Sequence, residues 1–300
     1  MPFNPTQYAT PIFIVVLIAE MLFIRFAGRG GRYEPRDTAT SLLMGFGSVI
    51  FGGAFAFIFI WYAGLLHPFR LTAIAWSIPA VVICFLLDDL AYYWYHRSAH
   101  RIRWIWAEHV AHHSSQHYNL STALRQSWGG FLTPGFLFAG PLLLIGFPVP
   151  MIAFVHGFNL IYQFWIHTEA IDRFPAWFEA VMNTPSHHRA HHATNARYLD
   201  SNYAGVLIVW DRMFGTFVAE DPAEPPRYGI VKNLATFNPV KVAFHEFVGI
   251  GKDLASARSP REVAGYLLAP PGWSPDGNRE TSDTIKARWA ALEAAKGAAE

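Results

Sequence analysis

One cysteine is all that the 300 residues contain, so no disulfide can form within the chain. Cys84 stands in the apolar run Ile83-Cys84-Phe85, where its expected role is that of a small buried hydrophobe, not a ligand or nucleophile. Charge is also scarce: Asp, Glu, Lys and Arg supply 15% of residues, against 52% hydrophobic and 16% aromatic, and mean hydropathy is +0.20. Soluble domains carry about 25% charge, so this balance reads as a membrane protein. The formal net charge of +1 gives no basis for a nucleic-acid partner. Residues 38–69, 71–87 and 126–168 contain no charged side chain at all. Stretches of that length suffice for a bilayer crossing of about 20 residues.

Those runs predict an all-α integral membrane protein with about four to five transmembrane or re-entrant helices. Spans are expected near 10–27, 40–64 and 72–94. Pro134, Pro141, Pro148 and Pro150 divide 131–167 into two spans or a re-entrant pair. Glu20 and Arg25 interrupt the first span, yet Met1–Thr10 carries no basic residue, which favours a span over a cleaved signal peptide. Arg25, Arg29, Arg32 and Arg36 follow that span, whereas only Arg70 lies between the second and third; the first loop is therefore expected in the cytoplasm. Counting spans from there delivers residues 96–113 and 187–192 to the same face, forming a cytosolic histidine-rich cap. Residues 1–220 read as one membrane-embedded catalytic domain. From Asp221 the turn-forming run Asp-Pro-Ala-Glu-Pro-Pro opens a polar C-terminal tail, 221–300, whose end from Lys286 reads as an exposed helix or frayed terminus.

Histidine is what the sequence has in excess. Eight of 14 fall into three boxes: His96-x3-His100, His109-x2-His112-His113 and His188-x2-His191-His192, with His187 beside the third. Residues three and four apart share a helix face, so each box can aim imidazoles at one point. Single boxes recur by chance among ordinary histidines, but three in one chain predict a metal site. So many nitrogens exceed what a four-coordinate structural zinc uses, and a dinuclear centre is the natural reading. His67, His117, His156 and His245 are isolated and expected to be structural. The pair Asp88-Asp89 precedes Tyr92, Tyr93 and Trp94. Either Asp89, two helical turns before His96, orients an imidazole by accepting its second ring proton, or the pair marks the water boundary with the aromatics as an interfacial belt.

The boxes resemble those of the fatty acid hydroxylase and sterol desaturase superfamily, integral-membrane non-haem diiron enzymes that activate oxygen. The flanking words resemble its alkylglycerol monooxygenase branch: His112-His113-Ser114-Ser115 and the run Tyr118 to Ser127, Gln163 to Glu169, Asn183 to His192, and Asn202 to Phe217, with a weaker echo at Pro270 to Pro275. The resemblance spans roughly residues 84–218. It implies two Fe ions ligated by His96, His100, His109, His112, His113, His188, His191 and His192, adds His167 as a ligand between the second and third boxes, and leaves His187 as a further candidate. Where some relatives have His-x3-His ending at His167, this chain has Gln163. It also implies O2, a lipid substrate whose tail lies in the bilayer, and a reductant that is tetrahydrobiopterin or a separate electron-transfer partner. Animal members follow the second histidine of the first box with Glu, where Arg101 stands here, which weighs against the pterin. They also carry further hydrophobic segments after the catalytic part. The reading expected is monooxygenation and cleavage of an alkylglycerol ether. A sterol or fatty acid hydroxylase or desaturase, a histidine-rich metal transporter or storage protein, and a zinc hydrolase remain as alternatives.

Overall fold

The structure, a computed structural model, describes residues 5–28 and 30–297; Arg29, counted in the first loop, lies outside them. Every regular element among the described residues is helical, and strand-like pairing is confined to the isolated bridges Met182–Leu207 and Ala193–Tyr228. In chain order the helices are α1 (Pro5–Ala27), α2 (Pro35–Leu66), α3 (Ile78–Arg101), α4 (Arg103–His113), α5 (Leu120–Ala123), α6 (Gly140–Ile145), α7 (Val149–Trp165), α8 (Ala176–Glu179), α9 (Pro185–His191), α10 (Val209–Met213), α11 (Pro239–Ser256), α12 (Pro260–Leu268) and α13 (Ser282–Gly297).

Three segments, Tyr8–Ala27, Pro35–Phe69 and Ile78–Arg101, are long and apolar enough to cross a membrane. Their outward residues fit lipid contact: Ile14, Val15, Val49, Ile50, Phe57, Ile60, Ile78 and Val82 are all more than half exposed. Proline at the first turn and a capping side chain start two of them. Glu34 accepts from Asp37 N at 2.6 Å at the head of α2, and Ser77 accepts from Ala80 N at 3.3 Å at the head of α3. At 32 residues α2 runs about 48 Å, well beyond an apolar core of about 30 Å. Its first turns accordingly belong to the cap. There Asp37 is buried against Arg125 at 2.8 Å, and Thr40 donates to Arg36 O and Phe237 O.

The expected arm 131–147 is not a spanning helix. Pro134, Pro141 and left-handed Gly146 (φ 112°) break it into two 3-10 turns, Gly130–Leu132 and Pro134–Ala139, and the six-residue α6. Glu20, the charge inside the first span, turns inward: it accepts from Leu120 N at 2.8 Å and from the hydroxyls of Tyr33 and Thr168, tying α1 to the segments after α4 and α7.

The segment after Asp221 is not a free tail. Arg103 binds Glu246 and Asp253 of α11, each at 2.6 Å, and Asp253 also holds Arg279 at 2.7 Å. Arg101 pairs with Asp200 and with Asp283 of α13, while Lys286 donates to Leu199 O at 3.0 Å. The rest of α13 is exposed, as its Ala, Lys and Glu content leads one to expect.

Asp37→Ala leaves the Arg125 guanidinium buried without its counter-charge, so the variant is expected to lose about 3–5 kcal/mol of stability in denaturant unfolding of detergent-solubilised protein. An unchanged midpoint would show that the pair does not fasten α2 to the cap.

Candidate metal centre

A single extended residue, Ile102, separates α3 from α4, and Arg103 N is pinned to Ala269 O at 3.0 Å, so the two helices fold onto each other at their histidine-bearing ends. His96 and His100 sit one turn apart near the end of α3. On α4, His109 and His113 share a face and His112 lies about 100° round. On α9 and its closing residue the pattern repeats, His188 and His192 sharing a face with His191 turned aside. His167 follows α7 directly. The consequence is two groups. One holds His96, His100, His109, His113 and His191; the other holds His112, His167, His188 and His192; in each, one ring nitrogen per residue lies within 4.8 Å of all the others. Each three-residue box thus splits, giving its i, i+4 pair to one group and its odd member to the other.

The geometry fits metal ions. Nitrogens about 2.1 Å from a shared ion stand about 3 Å apart at right angles and about 4 Å apart across it. Here the Nε2 atoms of His96 and His109 are 2.8 Å apart, those of His113 and His109 3.0 Å, and those of His191 and His113 3.2 Å. In the second group the separations are 3.1 Å for His167 and His112, 3.0 Å for His188 and His167, and 3.2 Å for His192 and His188. The rear nitrogens explain the aim. Nδ1 of His96 donates to Tyr203 O at 2.8 Å, that of His191 to Ser201 O at 2.8 Å and that of His167 to Gln163 O at 2.7 Å, which leaves each Nε2 lone pair facing inward. His100 Nε2 is buried with no hydrogen-bond partner, as are the rear nitrogens of His112 and His188. Burial first, then neighbouring imidazoles, holds His109, His113, His188, His191 and His192 well below the usual histidine range, and burial does the same for His112. Neutral rings are the ligand-competent form. Neither group contains a carboxylate.

Two of the candidate residues lie apart from the two groups. His187 joins neither group: it is buried edge-on to Phe217, with Nδ1 3.4 Å from Thr184 Oγ1 and Nε2 3.9 Å from Glu179. Adjacent to His188, it necessarily points about 100° away from it. Asp89 does not orient His96 either. It accepts from Val206 N, Leu207 N, Trp210 Nε1 and Asn159 Nδ2 at 2.8–3.1 Å, fastening the loop after residue 203. Seven residues are two helical turns, about 10 Å along the axis, too far for a hydrogen bond. Gln163, one turn before His167, donates to Asn159 Oδ1 at 2.6 Å, and the second group has four imidazoles against five in the first.

The role of the loop 200–204 follows from its backbone. Asp200 (φ 51°) and Asn202 (φ 55°) adopt left-handed backbone, and Asp211 accepts from Tyr203 N and Ala204 N at 2.8 Å, presenting the carbonyls that orient His96 and His191. The only signal was the Asp-Ser-Asn run, which tolerates such conformations. Beside the histidines lies a cavity of about 540 Å³. His100, His113, His191 and His192 form one wall; Trp106, Val110 and Leu199 line it further, and Ile230–Leu234 and Ile285 close it from the C-terminal segment.

Residues 81–216 match the sequence pattern of the Fatty acid hydroxylase family, a stretch that includes every histidine of both groups. The chain is 40% identical over 275 residues to alkylglycerol monooxygenase of Homo sapiens, covering 89% of this chain and 59% of that protein. It is 41% identical over 280 residues to the same-named protein of Xenopus tropicalis, covering 90% and 59%. Ornithine lipid hydroxylase OlsE of Rhizobium tropici is 27% identical over 147 residues, covering 49% and 43%. The chain therefore spans about 59% of the length of the first two relatives. No solved structure matches it.

Alanine at any of the nine grouped histidines is expected to lower bound metal, measured by elemental analysis of purified protein, whereas His187→Ala retains the parent content. Gln163→His places a fifth imidazole by the second group and should slow metal loss to a chelator. Because folded-state burial depresses these histidines, the unfolded chain binds more protons below about pH 6.5; stability of metal-free protein is flat above that pH and falls beneath it. Titrated unfolding midpoints would reveal this.

Proposed function

We propose that the chain, whose residues 81–216 match the Fatty acid hydroxylase pattern, is a membrane-bound, non-haem diiron monooxygenase of alkylglycerol-type ether lipids. The observation that carries the reading is the pair of imidazole groups opening on one largely apolar-walled cavity. Two iron ions, held by His96, His100, His109, His113 and His191 and by His112, His167, His188 and His192, would supply reduction of O2 and an oxidant able to break an unactivated C–H bond. The protein's share is placement. Carbonyls of Tyr203, Ser201 and Gln163 orient rings, and Trp106, Val110 and Leu199 exclude water from the carbon presented to His100 and His113.

For an ether R–CH2–O–R′ the overall change consumes O2, two electrons and two protons. It forms R–CH(OH)–O–R′ and water, and that hemiacetal separates into the aldehyde R–CHO and the alcohol HO–R′. The electrons come from tetrahydrobiopterin or from a separate redox protein. Arg101, bound by Asp200 and Asp283, is already paired, so this position serves here to hold α13. The arginine asymmetry and the order of spans support a cytoplasmic face for the histidines.

The substrate assignment is checked by supplying alkylglycerols, fatty acids and sterols under 18O2 and analysing lipids by mass spectrometry. Label in an aldehyde released from an alkylglycerol is expected. Label retained as a hydroxyl on a fatty acid or sterol would keep the family chemistry and reject the ether substrate, and turnover without O2 would reject both in favour of a hydrolase. Metal transport by the same chain in vesicles, without oxygen uptake, would replace the enzyme reading. For orientation, Gln116→Cys, exposed beside the second box, should resist a membrane-impermeant thiol reagent in intact cells. Rapid labelling from outside would reverse the topology.

A further inference from the structure

On the side of α9 away from the large cavity, the segment 170–182 and α10 expose an apolar cluster: Trp177 is 74% exposed, Met213 66% and Val181 46%. The two segments are joined, since Arg212 donates to Ala180 O at 3.1 Å and Glu179 O at 3.2 Å. They are also continuous with the membrane-facing helices. Trp94, near the end of α3, packs on Phe214 with ring centroids 4.9 Å apart, and Trp165 at the end of α7 packs on Phe174 at 5.6 Å. Tryptophans at the ends of apolar helices sit at the level of lipid headgroups.

Basic groups stand at the same level. Arg97, Arg173 and Arg212 have no carboxylate within ion-pair distance among the described residues, in contrast to Arg101, Arg103, Arg125 and Arg189, each paired inside the cap. Their acceptors are neutral: Arg97 donates to Tyr93 Oη at 3.1 Å, Arg173 to Glu220 O, and Arg212 to the two carbonyls above, its guanidinium resting 3.8 Å from the Phe217 ring centre. Arg173 and Arg212 flank a second cavity of about 240 Å³ with Ser186 and His187 in its wall. Two carboxylates also line it, and each has other donors: Glu220 is held by Arg189 at 2.7 Å, and Glu179 accepts from Phe174 N at 3.0 Å and from Ser186 Oγ at 2.9 Å. Guanidinium groups with spare donors beside exposed tryptophan complement phosphate at a bilayer surface.

We propose that the 170–182 segment and α10 form a membrane-surface anchor, with Trp177, Val181 and Met213 in the headgroup–acyl boundary and Arg173 and Arg212 binding the phosphate of an anionic phospholipid of the surrounding leaflet. This anchor holds α9, and with it the third histidine box, at a set height above the bilayer, and it stands independently of the metal assigned to that box.

The test uses the full chain in nanodiscs of phosphatidylcholine with or without phosphatidylglycerol. Trp177→Cys takes a fluorescent label selectively, because the native Cys84 is buried. Quenching by phospholipid spin-labelled near the headgroup, with protection from aqueous iodide, supports the anchor; quenching by iodide and not by lipid overturns it. Phosphatidylglycerol retained per chain, counted by mass spectrometry, should fall roughly fivefold for each guanidinium removed in Arg173→Gln and Arg212→Gln, and Arg173→Lys with Arg212→Lys should keep most of it. Retention unchanged in the glutamine variants overturns the proposal. So does displacement of the lipid by inorganic phosphate alone, which would mark a free-anion site.

Discussion

Nine imidazoles converging from four segments, with no carboxylate among them, set the constraint on which the remaining architecture depends. Buried polar nitrogens left without partners cost about 1–3 kcal/mol each, so the arrangement is tenable only where another group meets them. Rear-facing backbone carbonyls satisfy part of the need, and metal ions at the inward nitrogens would satisfy the rest. Neutral rings around two ions would leave a strongly positive core. Such a core binds small anionic or electron-rich ligands and keeps acidic side chains of the cap for other duties.

Those acidic side chains act on the loops. Asp89 and Asp211 each accept several backbone N–H groups and gather residues 203–207 beside α3, while Glu220 holds Arg189, whose guanidinium also caps the carbonyls of Thr168, Ile171 and Asp172. Asp37 with Arg125 does the same between α2 and the stretch after the second box. Each pair fixes an irregular segment that carries or abuts a ligand. Irregular backbone at the membrane boundary needs such internal partners, because lipid offers none.

The division of the boxes has a chemical consequence. Five imidazoles face one position and four face the other, with Gln163 turned to Asn159 where a fifth would stand. An incompletely ligated position is where an exogenous reactant enters in open metal sites. The large cavity touches members of both groups, His100, His113 and His191 of the first and His192 of the second, so a reactant there would meet the pair and not one site alone.

Sequence alone determined the apolar helices and the clustering of histidines, because helix periodicity, charge-free runs and i, i+3, i+4 spacing are local properties written into consecutive residues. It also made His167 a candidate through the word around it. Tertiary structure decided which histidines share a group, since that follows from the bend at Ile102 and the docking of α9 and not from spacing. It excluded His187 by rotation about its own helix and sent Asp89 to a loop 117 residues away. It turned the charged segment after Asp221 into a wall of the cavity, for Arg101 and Arg103 find partners 182 and 150 residues distant. Contacts at such separations depend on how helices pack, and no local pattern of residues encodes them.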